Sequence, residues 1–185
     1  MTYSVKEIFY TLQGEGGNAG RAAVFCRFSG CNLWSGLEKH RSEAICKFCD
    51  TDFVGTDGIN GGKYRTTKHL SDKIESTWNG QESRLVVFTG GEPGLQIKEE
   101  LVSELQARNF EVAIETNGTV SLPENIDWVC VSPKASTKLL VTKGEELKLV
   151  FPQEGVDPST FVELDFTHFF LQPLDDANLT RNSQM

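Results

Sequence analysis

"RLVVFTGGEPGLQIKEELVSELQARNFEVAIET" occupies residues 84–116 and predicts a strand, a helix and a second strand in that order. Its first seven and last six residues are short, nearly continuous apolar runs, which is typical of strands buried on both faces. Between them Ile97, Leu101 and Leu105 recur every four residues among charged side chains, as in an amphipathic helix. This order favours parallel strands joined by right-handed crossovers.

The same pattern extends to both sides of this segment. Further apolar runs lie at 22–28, 127–132, 147–152 and 168–173, and a second amphipathic helix is predicted over 66–80. The later connections are shorter, so we expect loops in some of them. The pattern indicates an α/β fold, either an open sheet or a partial barrel. In either case the carboxyl ends of the strands meet at one mouth, where ligands bind.

Composition limits the classes of function. The 185 residues suit one domain, and no apolar run approaches the length needed to cross a membrane. The polar N-terminus lacks a signal-peptide core, so we expect a cytoplasmic protein with reduced thiols. The net charge of −8 argues against nucleic acid as a main partner.

Three of the five cysteines lie close together, at Cys31, Cys46 and Cys49. Three thiolates are one short of a structural zinc site, for which Cys26 or His40 would have to supply the fourth ligand. A [4Fe–4S] cluster held by three thiolates instead leaves one iron open to an exogenous ligand. The spacing alone does not decide between zinc and a cluster.

Sequence motifs around these cysteines resemble a known superfamily. "CKFC" (46–49) and the strand-end "GGEP" (90–93) are similar to the cluster motif and glycine-rich turn of radical S-adenosylmethionine enzymes. The fourteen residues between the first two cysteines, with "FYTLQGEG" (9–16), "FCRFSGCNLW" (25–34) and "CDTDF" (49–53), resemble the 7-carboxy-7-deazaguanine synthase family of that superfamily.

The resemblance implies a partial (β/α)6 barrel, TIM-like, with about six parallel strands and the cluster at its carboxyl-side mouth. It implies a carbon–nitrogen lyase of queuosine-type 7-deazapurine biosynthesis. This lyase converts 6-carboxy-5,6,7,8-tetrahydropterin to 7-carboxy-7-deazaguanine with loss of ammonia. A 5′-deoxyadenosyl radical abstracts the hydrogen, so no side chain is expected to act as the catalytic group.

The resemblance also implies a set of site residues. The [4Fe–4S] ligands would be Cys31, Cys46 and Cys49, and Thr51 would contact Mg²⁺. Substrate would meet Leu12, Gln13, Gly14, Glu15, Arg27, Thr89 and Glu115. S-adenosylmethionine would meet Phe48, Cys49, Asp50, Gly91, Glu92, Ser132, Pro133, Lys134, Gln172, Pro173, Leu174 and Asp175.

We expect one domain over residues 1–185, with a cluster-binding insertion at 31–53 and without the C-terminal extension of the family. The expected partners are the small pterin substrate, an electron donor such as flavodoxin and a second copy in a homodimer, with no nucleic acid or membrane. Two alternatives stay open. One is a radical S-adenosylmethionine activating enzyme that acts on a protein glycine, and the other is a non-catalytic zinc-binding module with Cys26 as fourth ligand.

Overall fold

A computed structural model describes residues 2–81, 83–175 and 179–184. Within these residues the strands are β1 (Tyr3–Leu12), β2 (Ala22–Phe28), β3 (Gly62–Tyr64), β4 (Leu85–Gly90), β5 (Glu111–Thr116), β6 (Trp128–Val131), β7 (Lys143–Phe151) and β8 (Asp165–Pro173). The helices are α1 (Thr67–Thr77), α2 (Glu99–Gln106) and α3 (Leu179–Asn182), with 3-10 turns at Gly16–Asn18, Glu38–Glu43, Pro93–Leu95 and Pro158–Phe161.

All the strands belong to one sheet in the order β3-β1-β2-β4-β5-β6-β7-β8. The last six strands of this order, β2 to β8, pair in parallel, which confirms the predicted partial barrel of about six parallel strands. The strands β1 and β3 are antiparallel additions at one edge that the sequence analysis did not predict. The sheet stays open, because no pairing joins β3 to β8 among the described residues.

The two faces of the sheet have different roles. One face packs against α1 and α2 and forms the main core, in which Leu70 and Ile74 of α1 meet Leu101 and Leu105 of α2. Thr66 caps α1 by accepting a hydrogen bond from the His69 N–H. The opposite face carries the alternate side chains of the same strands and lines a cavity. This alternation assigns each strand residue to the core or to the cavity.

The later connections are loops, as the shorter spacing led us to expect. Residues 117–127, between β5 and β6, and residues 132–142, between β6 and β7, contain no helix. The connection from β7 to β8 contains one 3-10 turn. In the part of the chain that the structure describes, no helix has the length and apolar character needed to cross a bilayer.

Candidate active site

The carboxyl ends of the parallel strands open into a cavity of about 560 Å³. Every site residue predicted from the sequence lines this cavity, except Glu92 and Pro133. The strand ends converge because parallel strands place their carboxyl ends on one edge. The register then sets neighbours, so that Arg27 of β2 is paired with Thr89 of β4, and Glu115 of β5 with Cys130 of β6.

The three clustered cysteines lie together at the mouth of this cavity. All three thiols are free, and Cys46 shares a side-chain hydrogen bond with Cys49. That bond lowers the pKa of Cys49, and the sulfur of Cys49 also accepts hydrogen bonds from the backbone N–H and the hydroxyl of Thr51. Burial raises the pKa of Cys31, whose sulfur accepts the Leu33 N–H at 3.4 Å. All three cysteines line the cavity, which an exogenous ligand could enter.

The proposed fourth zinc ligands lie elsewhere. Cys26 is completely buried in the main core with Val24 and Phe28, on the face of β2 that points away from the cavity. His40 is exposed and pairs with the Ser35 hydroxyl at 2.9 Å. Cys130 is also buried, and its side chain lines the cavity rather than the core beneath the helices.

The long segment between Cys31 and Cys46 is held by Arg41. Its guanidinium donates to the carbonyl oxygens of Lys47 at 2.8 Å and of Cys49 at 3.0 Å. The same group lies over the Trp34 ring, 4.1 Å from the centroid. Arg41 therefore fixes the backbone on both sides of Phe48, between the last two cysteines. Sequence analysis missed this residue, because an arginine in a charged loop looks like an exposed surface residue.

The turn after β4 needs its glycines. Gly90 has a φ of +121°, and a Cβ on Gly91 would overlap the backbone carbonyl of Gly30. The backbone N–H of Glu92 donates to that same carbonyl at 2.9 Å, so the turn lies directly against the loop that carries Cys31. Only residues without a side chain permit this approach.

Glu92 lies behind this turn rather than at the cavity surface. Its carboxylate is completely buried and accepts hydrogen bonds from the Gly94 N–H at 2.9 Å, the Thr116 hydroxyl at 2.7 Å and the Asn117 N–H at 2.8 Å. Burial raises its pKa, although these three bonds oppose the shift. Pro133 is also buried outside the lining, and its carbonyl accepts from Gln153 at 3.1 Å. The expected contacts of Glu92 and Pro133 with a cofactor stay predictions.

A hydrogen-bonded network forms the opposite wall of the cavity. Glu115 accepts from the Gln13 side chain at 3.0 Å and from the Thr89 hydroxyl at 3.2 Å. Arg27 donates through Nε to Glu7 at 2.8 Å, and among the described residues this is its only side-chain hydrogen bond. The outer guanidinium N–H groups of Arg27 therefore remain available to a ligand in the cavity.

Lys148 joins this network from β7. Its ammonium lies 2.7 Å from a Glu15 oxygen and 3.5 Å from a Glu115 oxygen. Burial alone would lower the pKa of Lys148, but the Glu115 and Glu15 carboxylates raise it above its ordinary value. Burial alone would raise the pKa of Glu15, but Lys148 and a 2.9 Å bond from Gln172 lower it.

A second lysine lies on the side of the cysteines. Lys134 donates to the carbonyl and hydroxyl oxygens of Ser132 at 2.8 and 2.6 Å, and its ammonium lies 5.9 Å from the centre of the Phe48 ring. Burial lowers the pKa of Lys134, and the nearby Cys46 and Cys49 oppose that shift. Lys134 therefore places a positive charge beside the thiols.

Comparisons with known proteins give the same assignment as this geometry. The model of the radical SAM superfamily matches residues 41–135. The 7-carboxy-7-deazaguanine synthase of Caulobacter vibrioides is 59% identical over 186 residues, which cover 100% of this chain and 89% of the relative. The enzyme of the same name from Burkholderia multivorans is 56% identical with the same coverage.

The chain belongs to the 7-carboxy-7-deazaguanine synthase family.

A solved structure supports the fold assignment. The crystal structure of QueE from Escherichia coli has a TM-score of 0.71 and 28% sequence identity, and covers 98% of this chain and 87% of its own. As a radical SAM member of the 7-carboxy-7-deazaguanine synthase family, the chain is an enzyme that uses a [4Fe–4S] cluster and S-adenosylmethionine.

The cysteines fit this cluster better than a zinc ion. Within the described residues, no three or more His, Cys, Asp and Glu side chains are arranged around a single metal ion. Tetrahedral zinc requires such convergence on one point, whereas a four-iron cube binds each thiolate at a different iron. With Cys26 in the core, the zinc alternative loses its fourth ligand. The named relatives likewise favour the synthase family over an activating enzyme.

Two charged residues of β7 were not predicted from the sequence: Lys148 lines this family's cavity, and Glu146 lies outside that lining, where it accepts the Gly17 N–H. Lys148 and Glu146 are 7% and 3% exposed and occur in "EELKLVF", where they look like polar positions of an edge strand. Their parity gives a signal, since Leu147 and Leu149 face the core and Glu146, Lys148 and Val150 must face the other way. The contact with Glu15 cannot be read from the sequence.

Proposed function

We propose that this chain catalyses the ring contraction of 6-carboxy-5,6,7,8-tetrahydropterin to 7-carboxy-7-deazaguanine with loss of ammonia. One observation carries the proposal: a single cavity is lined both by the three thiols and by the Arg27–Thr89–Glu115 wall. The relatives named 7-carboxy-7-deazaguanine synthase, whose length this chain spans to 89%, support the same reaction.

The substrate wall has the chemistry that a carboxypterin requires. Arg27 offers a planar pair of N–H donors to the substrate carboxylate, while Glu7 holds its Nε edge. Glu115 accepts hydrogen bonds, so it suits the N–H donors of the guanidine-like pterin edge. Gln13 and Thr89 orient the Glu115 carboxylate by donating hydrogen bonds to it. Leu12, Gly14 and Glu15 complete this side of the cavity.

The cysteine side suits the cofactors. We propose that Cys31, Cys46 and Cys49 hold the cluster, which when reduced supplies the electron that cleaves S-adenosylmethionine and generates the hydrogen-abstracting radical. Lys134 offsets thiolate charge, and the Gly90–Gly91 turn leaves room for the methionine end. The other residues proposed on the cofactor side are Phe48, Asp50, Glu92, Ser132, Pro133, Gln172, Pro173, Leu174 and Asp175.

We also propose an Mg²⁺ site at Thr51, whose hydroxyl lines the cavity beside Cys49. Magnesium accepts few protein ligands and keeps waters and substrate oxygens, so one hydroxyl is enough to mark such a site. We expect slower turnover after chelation and recovery with added Mg²⁺. Equal rates in the two samples would refute this site.

The test of the reaction is product analysis under anaerobic conditions. The reconstituted, reduced enzyme is incubated with S-adenosylmethionine and the carboxypterin, and we expect 7-carboxy-7-deazaguanine and ammonia in equal amounts. Cys46→Ala should lose iron and activity, while the matched Cys26→Ala should keep about four irons per chain. Cleavage of S-adenosylmethionine without the deazapurine would reject the substrate. One zinc and no iron would reject the whole assignment.

Three further proposals concern partners and location. We infer that a flavodoxin-like protein reduces the cluster, and free cysteines throughout the chain support the reducing cytoplasm as its location. We infer a homodimer through the edge strand β8, where Phe169 and Leu171 are 44% and 56% exposed. Light scattering should give twice the 20.6 kDa chain mass, and a monomer at micromolar concentration would contradict it.

A further inference from the structure

The loop after β1 crosses the open side of the barrel. In the sheet order β1 lies next to one edge and β7 next to the other, yet residues 13–17 lie against β7. The contacts are made by side chains: Glu15 pairs with Lys148 at 2.7 Å, and the Gly17 N–H donates to Glu146 at 2.9 Å. Side-chain bonds thus close the gap that backbone pairing leaves open. We call residues 13–17 the substrate loop.

Glu146 lies directly against the backbone of the substrate loop. Gly16 has a φ of +68°, and a Cβ on it would overlap the Glu146 carboxylate. The indole of Trp128 lies so close to Gly17 that an added Cβ would be 2.9 Å from it. The two glycines therefore allow the loop backbone to pack closely against the side chains of Trp128 on β6 and Glu146 on β7. A larger residue at Gly16 would have to displace the Glu146 carboxylate that accepts the Gly17 N–H.

Burial of the Glu146 carboxylate within β7 is energetically unfavourable. Glu146 is 3% exposed, and among the described residues the only donor to its second oxygen is the weak Cys130 S–H at 3.4 Å. Burying a carboxylate costs free energy unless hydrogen bonds compensate it. An apolar side chain could be buried at this position at a lower cost in free energy. The carboxylate therefore indicates that a hydrogen-bond acceptor is needed here. The acceptor is directed at the Gly17 N–H.

We propose that Glu146 is a positioning residue for the substrate, because it holds the substrate loop so that Gln13 and Glu15 face the cavity. The Gln13 side chain accepts the Glu15 N–H at 3.2 Å and donates to Glu115 at 3.0 Å, so the loop and Glu115 move together. Glu146 itself does not line the cavity, so it acts through the loop. The inference rests on the proposed function, since that function makes Gln13, Glu15 and Glu115 the substrate wall.

The neighbouring residue on the same strand supplies a matched control. Glu145 accepts the Val129 N–H of β6 at 2.7 Å. Like Glu146→Ala, Glu145→Ala therefore removes a carboxylate that accepts a backbone N–H. Neither Glu145 nor Glu146 lines the cavity, but the partner of Glu145 is in β6 rather than in the substrate loop. A difference between Glu146→Ala and Glu145→Ala therefore reports the loop contact rather than the general loss of a carboxylate from β7.

The experiment combines hydrogen–deuterium exchange with calorimetric binding of the carboxypterin and of S-adenosylmethionine to the reconstituted enzyme. For Glu146→Ala we expect roughly ten-fold faster exchange at residues 13–18 and a roughly ten-fold higher Kd for the carboxypterin, from the loss of one charge-assisted bond. The Kd for S-adenosylmethionine should stay within about two-fold. Glu145→Ala should leave both the loop exchange and the carboxypterin Kd unchanged.

Glu146→Asp keeps the charge but withdraws the carboxylate from Gly17 by one methylene, so it carries the test if the alanine variant does not fold. Equal weakening of both ligands with faster exchange throughout the sheet would overturn the proposal, since it indicates a merely structural role. The proposal would also be overturned if Glu146→Ala had the same loop exchange rate and the same carboxypterin Kd as Glu145→Ala. A wild-type enzyme that cleaves S-adenosylmethionine but does not bind the carboxypterin rejects the proposed substrate instead, and the exchange comparison alone then decides whether Glu146 holds the loop.

Discussion

Replacing Glu92 by alanine should destabilise the whole cavity rather than only weaken a ligand. The Glu92 carboxylate joins the turn after β4 to the turn after β5 through the Gly94 N–H, the Thr116 hydroxyl and the Asn117 N–H. All three partner residues are buried, so the donors left behind cannot turn to bulk water. The two turns then lose their only common side-chain anchor among the described residues.

The magnitude follows from this count of donors. A buried donor left unsatisfied costs about 1–3 kcal/mol, so three such donors would cost roughly 3–9 kcal/mol. Part of that is recovered, because burial raises the Glu92 pKa and the desolvated carboxylate is itself costly. We therefore expect a loss of about 3–5 kcal/mol of unfolding free energy. At about 2–4 °C per kcal/mol for a chain of this size, Tm should fall by about 6–20 °C.

Urea unfolding of Glu92→Ala at pH 7 measures this loss, and Glu100→Ala on the exposed face of α2 is the control, expected within about 0.5 kcal/mol of wild type. Glu92 also adds a pH dependence. Its folded pKa is raised, so the native state binds the extra proton, and wild-type stability should fall as pH rises from the unfolded value of 4.5 through the folded pKa. Glu92→Gln should lack this fall. A Glu92→Ala loss below about 1 kcal/mol would show that Glu92 does not anchor the two turns.

Two further predictions concern Arg41 and Lys148. Arg41→Ala removes the donor to the Lys47 and Cys49 carbonyls, so we expect metal analysis to find less than half of the wild-type iron after reconstitution. Full iron content would contradict a role of Arg41 in holding the cysteine segment. Lys148→Met should lower unfolding free energy by about 1–3 kcal/mol at pH 7. Because Lys148 holds the Glu15 pKa below 4.5, this difference should persist above pH 4.5 and shrink as pH falls through the folded pKa, and a difference independent of pH would count against the pair.

Strands were predictable from the sequence where both faces are buried. The run at 22–28 coincides with β2, because every position of that strand is buried or half-buried and all but Arg27 are apolar. The missed strand β1 shows the opposite case. Its pairing with β2 shifts register between Val5 and Glu7, so the buried Val5 and Ile8 are three residues apart rather than two or four. This bulge breaks the alternation that would identify a strand.

The site was predictable to the extent that its residues follow strands or flank the cysteines. Arg27, Thr89 and Glu115 each lie at the carboxyl end of a strand, and topology alone brings such ends together. Glu92 satisfies the same rule, yet its side chain turns into the protein. The sequence places a residue at the mouth, but the direction of the side chain depends on which buried donors lie behind it.

The side-chain contacts between the loop after β1 and β7 cannot be predicted from local sequence patterns. Glu15 and Lys148 are 133 positions apart, and each lies in a segment whose own pattern is satisfied without the other. Their contact also blurs a division made from the sequence, in which Glu15 serves the substrate and Gln172 serves the cofactor. The Glu15 carboxylate binds both Lys148 and Gln172, so one hydrogen-bonded unit spans the two halves of the cavity.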